Sequence, residues 1–194
     1  NEDLRYFRLV DRSEASRNIF QPHIFADDDS FNRFQQVFNQ PNTNSFINKM
    51  LNFDLKASLP ALLHVEDRTS MAVSIESRVP LLDHKIVEFL ATVPPHLKFA
   101  NGQTKYLFRE AIKFIVPQKI LNRKDKKGFP VPLNHWFKGV AKEYVEDILF
   151  SERIKSRGLF NMPELEKLYL SNQQFSRSLW GALCLESWFR LFID

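Results

Sequence analysis

A chain of 194 residues with 44% hydrophobic and 26% charged side chains is long enough for one ordinary globular core, and the length predicts a single helical domain over residues 1–194. Its 27 basic and 23 acidic residues leave a formal net charge of +4, which suits anionic ligands and is too small to argue for nucleic acid on its own. A single cysteine, Cys184, excludes an internal disulfide; no apolar run reaches the length of a membrane span and the acidic start is not a signal peptide, so a cytoplasmic protein is expected, with neither membrane nor nucleic acid among its partners.

Residues 1–25 suggest a short helix and then a loop at Gln21-Pro22-His23. Asp27-Asp28-Asp29-Ser30 precedes Phe31, Phe34, Val37 and Phe38, whose spacing makes an amphipathic helix with acids at its positive end. That cap role accounts for the aspartates without a metal, because no further ligands follow at calcium-loop spacing. A break at Gln40-Pro41-Asn42 leads to a helix through Phe46, Met50, Leu51 and Phe53, and Pro60 marks the start or a kink of the next.

The chain is organised around residues 59–83, where Asp67, Arg68, Glu76 and Arg78 interrupt a run of Leu62, Leu63, Val65, Met71, Val73 and Ile75. A helix apolar on several faces is expected to be largely buried, and its charges then need partners. They form either an internal ion-pair lattice or the polar wall of a site. Pro80 sets the helix end near Arg78, and Asp83 is placed to cap the following helix over residues 84–92.

After Pro94-Pro95, Asn101-Gly102 reads as a turn, and residues 105–116 as a helix with Lys105 in its first turn. A cation there is disfavoured by the helix dipole unless an anion is near, so Lys105 either faces such an anion or is simply solvated. Residues 117–132 hold too much charge and proline for a helix; Lys119, Arg123, Lys124, Lys126 and Lys127 face Asp125 alone. Beyond them a helical region runs from His135 to Phe150 with a stop at Arg157-Gly158, and a further helix opens at Met162-Pro163-Glu164.

The last helix, over residues 176–193, is apolar around much of its circumference. It reads as a packing element, with Cys184 a small buried hydrophobe and Glu186 paired to a buried arginine, for which Arg78 is the candidate. His23, His64, His84, His96 and His135 lack zinc-ligand spacing, so no metal site is expected in the chain. No alternation persists long enough to make a sheet. The expected fold is mostly α.

Asp67-Arg68-x-Ser70-Met71-Ala72-x-Ser74-x-Glu76-x-Arg78-x-Pro80-x-Leu82-Asp83 resembles the signature of the glutamine-hydrolysing asparagine synthetases. Three later stretches are similar to the same family: Lys105-Tyr106-Leu107-Phe108-Arg109-Glu110; Arg123-Lys124-Asp125-Lys126-Lys127-Gly128-Phe129 with Pro132 and Trp136; and Leu179-Trp180 with Leu183, Glu186, Trp188 and Arg190. The resemblance runs in order from about residue 59 to the end, and residues 1–58 carry no motif.

What the resemblance implies is the helical C-terminal part of a synthetase domain of the adenine-nucleotide α-hydrolase-like, ATP pyrophosphatase kind. The parallel sheet, a Ser-Gly-Gly-x-Asp-Ser loop and a glutaminase domain are then expected upstream, in a longer chain of which this is a piece inactive by itself. Gly102, Gly128, Gly139, Gly158 and Gly181 never cluster into such a loop. The implied reaction amidates aspartate with glutamine-derived ammonia, using ATP and Mg²⁺ bound mainly upstream, through β-aspartyl-AMP with release of pyrophosphate; a homodimer is compatible with it. Counting back from Phe129 puts the family's catalytic lysine on Lys126, with a one-residue slip to Lys127 as the alternative. Lys105 resembles a lysine that holds the phosphates of ATP or pyrophosphate with it, and Asp67, Arg68, Glu76 and Arg78 would support the site. A β-lactam synthetase-like or peptide-modifying relative would share the lysine, and a basic helical nucleic-acid-binding module is the reading from another class.

Overall fold

The computed structural model describes residues 1–125, 131–171 and 176–194. They are mostly helical, as the apolar periodicity predicts, and fall into two compact units: Asn1–Tyr6 with Ser30–Lys126, and Phe7–Asp29 with Lys127–Asp194.

The first unit is anchored by aromatic side chains. Helix α1 (Glu2–Val10) places the buried Tyr6 against Phe34 and Phe38 of α2 (Ser30–Phe38) and Phe46 and Phe53 of α3 (Phe46–Phe53), with ring centroids 5.5–6.4 Å apart. The three- and four-residue spacing of the phenylalanines puts them on one side of each helix, and edge-on and tilted ring pairs fill the space between. Burial and the nearby Asp54 carboxylate raise the Tyr6 phenol well above its ordinary range, and its hydroxyl donates to Asp54 Oδ1 at 2.7 Å. Ser45 caps α3 by accepting from the Asn48 N–H at 3.1 Å.

A π-helical turn, Asp54–Ser58, feeds α4 (Leu59–Met71), and here two expectations are corrected. The helix ends at Met71 rather than near Arg78. Thr69 and Ser70 turn their hydroxyls back on the carbonyls of Val65, Glu66 and Asp67, and Ser74 sits in the left-handed region at φ 59°. Such back-bonding competes with the helical ladder, and the left-handed residue ends it. The expected burial also fails: Leu62 is 68% exposed, Val65 62%, Val73 66% and Ile75 61%. A helix apolar on several faces needs neighbours on several faces, and no neighbour within this unit covers these side chains.

Helix α5 (His84–Thr92) begins where expected, with the Asp83 carboxylate accepting from the Lys85 N–H at 2.9 Å. After α6 (Pro95–Lys98), strands β1 (Phe99–Ala100) and β2 (Gln103–Thr104) pair antiparallel. Asn101 and Gly102 both have positive φ, 53° and 73°, so the Asn-Gly turn is of the hairpin type that the sequence signals. Helix α7 (Tyr106–Ile112) is shorter than the expected 105–116, and α8 (Gln118–Leu121) follows, where the sequence suggested a loop throughout.

In the second unit, short 3₁₀ turns at Ser13–Ala15, Arg17–Ile19 and Pro22–Phe25 precede α9 (Leu133–Lys138), α10 (Lys142–Leu149), α11 (Glu152–Ser156), α12 (Met162–Leu170) and α13 (Arg177–Phe192). The single helical region expected from His135 is split at Gly139, where a Cβ would lie 2.7 Å from the His135 carbonyl oxygen. Gly158, at φ 67°, closes α11 as the sequence indicates. Val145, Leu149, Ile154 and Leu165 are almost wholly buried, and Leu179, Ala182 and Leu183 of α13 close over them. A backbone bridge joins the remote ends of the unit: Gln21 N–H donates to Leu159 O at 2.8 Å and Asn161 N–H to Ile19 O at 2.9 Å.

Only one side of α13 is core. Trp180 and Trp188 are each 46% exposed, and Cys184 is exposed rather than a buried small hydrophobe, because it shares their side of the helix at four-residue spacing. Glu186, with no exposed surface, has guanidinium partners as expected, but they are the partly buried Arg157 at 2.7 Å and Arg190 at 3.0 Å rather than Arg78. Arg190 lies one turn along the same helix, and Arg157 leaves the end of α11, so the unit supplies its own cations. Arg157 also binds Asp194 and stacks 4.6 Å over the Phe189 ring, while Arg190 donates to Ser151 Oγ at 2.7 Å.

Candidate functional site

Of the cationic residues singled out by the sequence, Lys105 stands at the head of α7, and Arg123 and Lys124 follow α8, both helices of the first unit. Lys105 is exposed and occupies the cap position before α7 in the left-handed conformation, φ 59° and ψ 34°. It therefore lies just outside the first turn where the sequence placed it, and its carbonyl accepts the Arg109 N–H at 2.9 Å. The tight hairpin ahead of it delivers the chain to α7, which is how a lysine comes to hold this backbone position.

The end of α8 carries the chain into the basic segment. Arg123 grips Asp125 with both arms of its guanidinium, Nε to Oδ1 at 3.1 Å and Nη2 to Oδ2 at 3.0 Å. That fork holds the Asp125 carboxyl below its usual range and spends the segment's one acid on one arginine. Lys124 is exposed beside it. Lys126, the expected catalytic lysine, and its alternative Lys127 lie outside the described residues, as do Gly128 and Phe129 of the same motif.

Of the proposed supporting residues, Glu76 and Arg78 pair with each other at 3.1 Å, both largely exposed at 69% and 80%. Asp67 and Arg68 are exposed on the last turns of α4. The exposed ion pair contributes little stability, so Glu76 and Arg78 are not a buried lattice. The structure brings Glu76 to Arg78 and Arg123 to Asp125.

Two arginines escaped assignment by sequence reasoning. Arg109 stood inside a quoted motif without a role; its Nη1 donates to Leu121 O at 2.5 Å and ties α7 to the end of α8. Arg157 had no signal at all in the linear pattern, whereas the four-residue spacing of Glu186 and Arg190 could have suggested their pairing. Among the described residues no three His, Cys, Asp or Glu side chains come together as a metal site, and no helix is long and apolar enough to cross a membrane.

The family model described as asparagine synthase matches residues 2–190. The chain belongs to the asparagine synthase family. It is 35% identical over 160 residues to a Bacillus subtilis protein named asparagine synthetase [glutamine-hydrolyzing] 1, which covers 81% of this chain and 25% of that relative. Similarity extends to the human asparagine synthetase [glutamine-hydrolyzing], at 33% identity over 120 residues, 57% of this chain and 21% of the relative. A Mycobacterium tuberculosis protein named putative asparagine synthetase [glutamine-hydrolyzing] is 32% identical over 133 residues, 66% of this chain and 20% of its own length. The chain thus spans a quarter or less of the curated relatives it matches. The family match also covers residues 2–58, where the sequence alone offered no motif.

Proposed function

We propose that this chain forms the helical C-terminal part of a glutamine-dependent asparagine synthetase, in which aspartate is activated by ATP and amidated with glutamine-derived ammonia. The family match over almost the whole chain, with the lysine motifs inside it, carries the reading. The nucleotide fold, with its parallel sheet and phosphate loop, and the glutaminase domain would belong to the part of the relatives' length that this chain does not span. The exposed apolar side chains of α4 suit a helix that packs against such a fold.

Exposed cations at Lys105 and in the segment after α8 suit the phosphates of ATP, and the described acids do not gather into a metal site. The described residues therefore fit the nucleotide rather than Mg²⁺, which would neutralise phosphate charge from ligands elsewhere. Activation transfers AMP to the β-carboxylate of aspartate and expels pyrophosphate. Lys126 opposes the negative charge that develops on the transferred phosphoryl group, with Lys105 on the departing pyrophosphate. When ammonia attacks β-aspartyl-AMP, the tetrahedral intermediate carries an oxyanion that Lys126 opposes again; asparagine and AMP result. Arg123 keeps Asp125 from competing for these lysines.

The test is pyrophosphate release by the longer protein carrying this chain, with ATP, Mg²⁺, glutamine and aspartate, beside Lys126→Ala. Loss of one such stabilising group should lower kcat by on the order of 100-fold or more, with a much smaller change in nucleotide affinity. Release that depends on some other carboxylate would move the substrate, and release untouched by Lys126→Ala would sink the lysine's role.

A further inference from the structure

The side of α13 turned away from the core carries an uncovered apolar stripe. Trp180 and Trp188 are each 46% exposed, Cys184 between them is exposed, and Leu191 one turn further on is 76% exposed. Three- and four-residue spacing places all four on one side of the helix, with Gly181 beside Trp180. The later charged residues of α13 face elsewhere: Glu186 is fully buried and holds Arg190 in an ion pair. Two large aromatic side chains with no charge between them are the composition of an interface centre rather than of a solvated face.

Gly181 points the same way. Inside a helix, glycine disfavours folding about four- to fivefold relative to alanine. The backbone here is helical rather than left-handed, and a Cβ placed on Gly181 meets nothing within 4 Å, so packing among the described residues gives no reason for a glycine. Bare backbone on an exposed side of a helix admits close approach by another chain.

The stripe is also symmetric about Cys184. Four residues away on either side stands a tryptophan, and three away a small residue, Gly181 before and Ser187 after. When two such helices cross antiparallel at Cys184, Trp180 lies beside the partner's Trp188 and Gly181 beside the partner's Ser187. A two-fold contact requires a patch that matches itself in this way. The antiparallel crossing also opposes the helix dipoles and keeps the two Arg177 residues roughly 20 Å apart.

We propose that this side of α13 docks on the same side of α13 in a second copy of the chain, antiparallel, with Cys184 at the two-fold axis. The contact uses neither nucleotide nor lysine and does not depend on the synthetase reading. Roughly 500 Å² per copy would be buried, near the lower bound for a specific contact, so a dissociation constant on the order of 10 to 100 μM is expected.

Sedimentation equilibrium of the 194-residue chain from about 1 to 300 μM should show monomer passing to dimer. Gly181→Leu fills the space for close approach, and Cys184→Arg sets two cations at the axis; each should weaken the dimer more than about 10-fold. Neither should lower the unfolding midpoint of the monomer, because both positions are exposed and both new residues are better helix formers than those they replace. A chain that stays monomeric at the highest concentration, or a dimer that keeps its affinity in both variants, overturns the proposal. In the longer protein, maleimide labelling of Cys184 should slow as the concentration rises through the dissociation constant. Labelling that does not change with concentration overturns the proposal too: if fast throughout, the stripe is free, and if blocked throughout, the remainder of that chain covers it.

Discussion

Residues 59–83 and α13 have the same kind of sequence, apolar on several faces and broken by acids and arginines, yet they meet opposite environments. In α13 the acid Glu186 is fully buried and held by Arg157 and Arg190; in the earlier stretch Glu76 is 69% exposed and holds only Arg78. The difference lies in what surrounds them. Helices α10 and α12 of the second unit close on one side of α13 around Leu149 and Leu165, whereas Leu62 and Val65 of α4 are left open. Amphipathic pattern states what a helix can bury, and neighbours decide what it does bury.

The contrast can be broken most forcefully at Glu186. Glu186→Ala would remove the buried acid that Arg157 and Arg190 share, leaving Arg157 to Asp194 and Arg190 to Asp147 and Ser151, at a cost of about 3 kcal/mol, enough to shift urea unfolding strongly. Trp136, Trp180 and Trp188 all lie in the second unit, so tryptophan fluorescence reads that unit's transition. Leu149→Ala should follow at about 3 kcal/mol by the same measurement, since its side chain is fully buried among apolar neighbours.

Smaller effects come from single polar contacts. The buried Tyr169 hydroxyl lies 3.1 Å from Glu146 Oε1 and 3.3 Å from Phe137 O. Its removal in Tyr169→Phe should cost about 1 kcal/mol at neutral pH. Burial and then Glu146 push the Tyr169 phenol from 10.0 up to about 12, so the folded state keeps the proton longer than the unfolded one. That contribution is complete below pH 10.0 and declines as pH rises through about 12; a stability profile of Tyr169→Phe should lack this alkaline slope. Asp194 works in the opposite direction. Arg157 holds its carboxyl below the ordinary 3.8, so its contribution is present above that pH and disappears as pH falls through the lowered value. Asp194→Asn should flatten the acid limb of the profile.

At the other end of the comparison, Leu62→Ser should move the unfolding midpoint of the 194-residue chain by no more than about 0.5 kcal/mol, because the side chain is already 68% exposed. A cost near that of Leu149→Ala would show that α4 is covered after all. In the longer protein, the proposed packing of α4 on a nucleotide fold makes the same substitution expensive, about 2 kcal/mol, which sharpens the contrast into a test of that packing.

Much of the helical plan was legible in sequence because it depends on local chemistry. Asp83 caps its helix through its own side chain, Asn101-Gly102 makes a positive-φ turn, and Gly158 ends α11. The candidate site was legible as motif and only in part as geometry. Lys105 fell at the head of the expected helix, but its left-handed backbone and the bond from Arg109 to Leu121 join residues through folds of the chain that periodicity does not encode.

By itself, the sequence determined the α class, most helix starts, the lysine motifs and the family, all of which follow from residue type at short spacing. Tertiary structure alone decided the partner of Glu186, the side of α13 that faces the core, and the exposure of α4. Those outcomes depend on which surfaces meet across long separations, and charge pairing and burial are set by the neighbour that arrives rather than by the residue that waits for it.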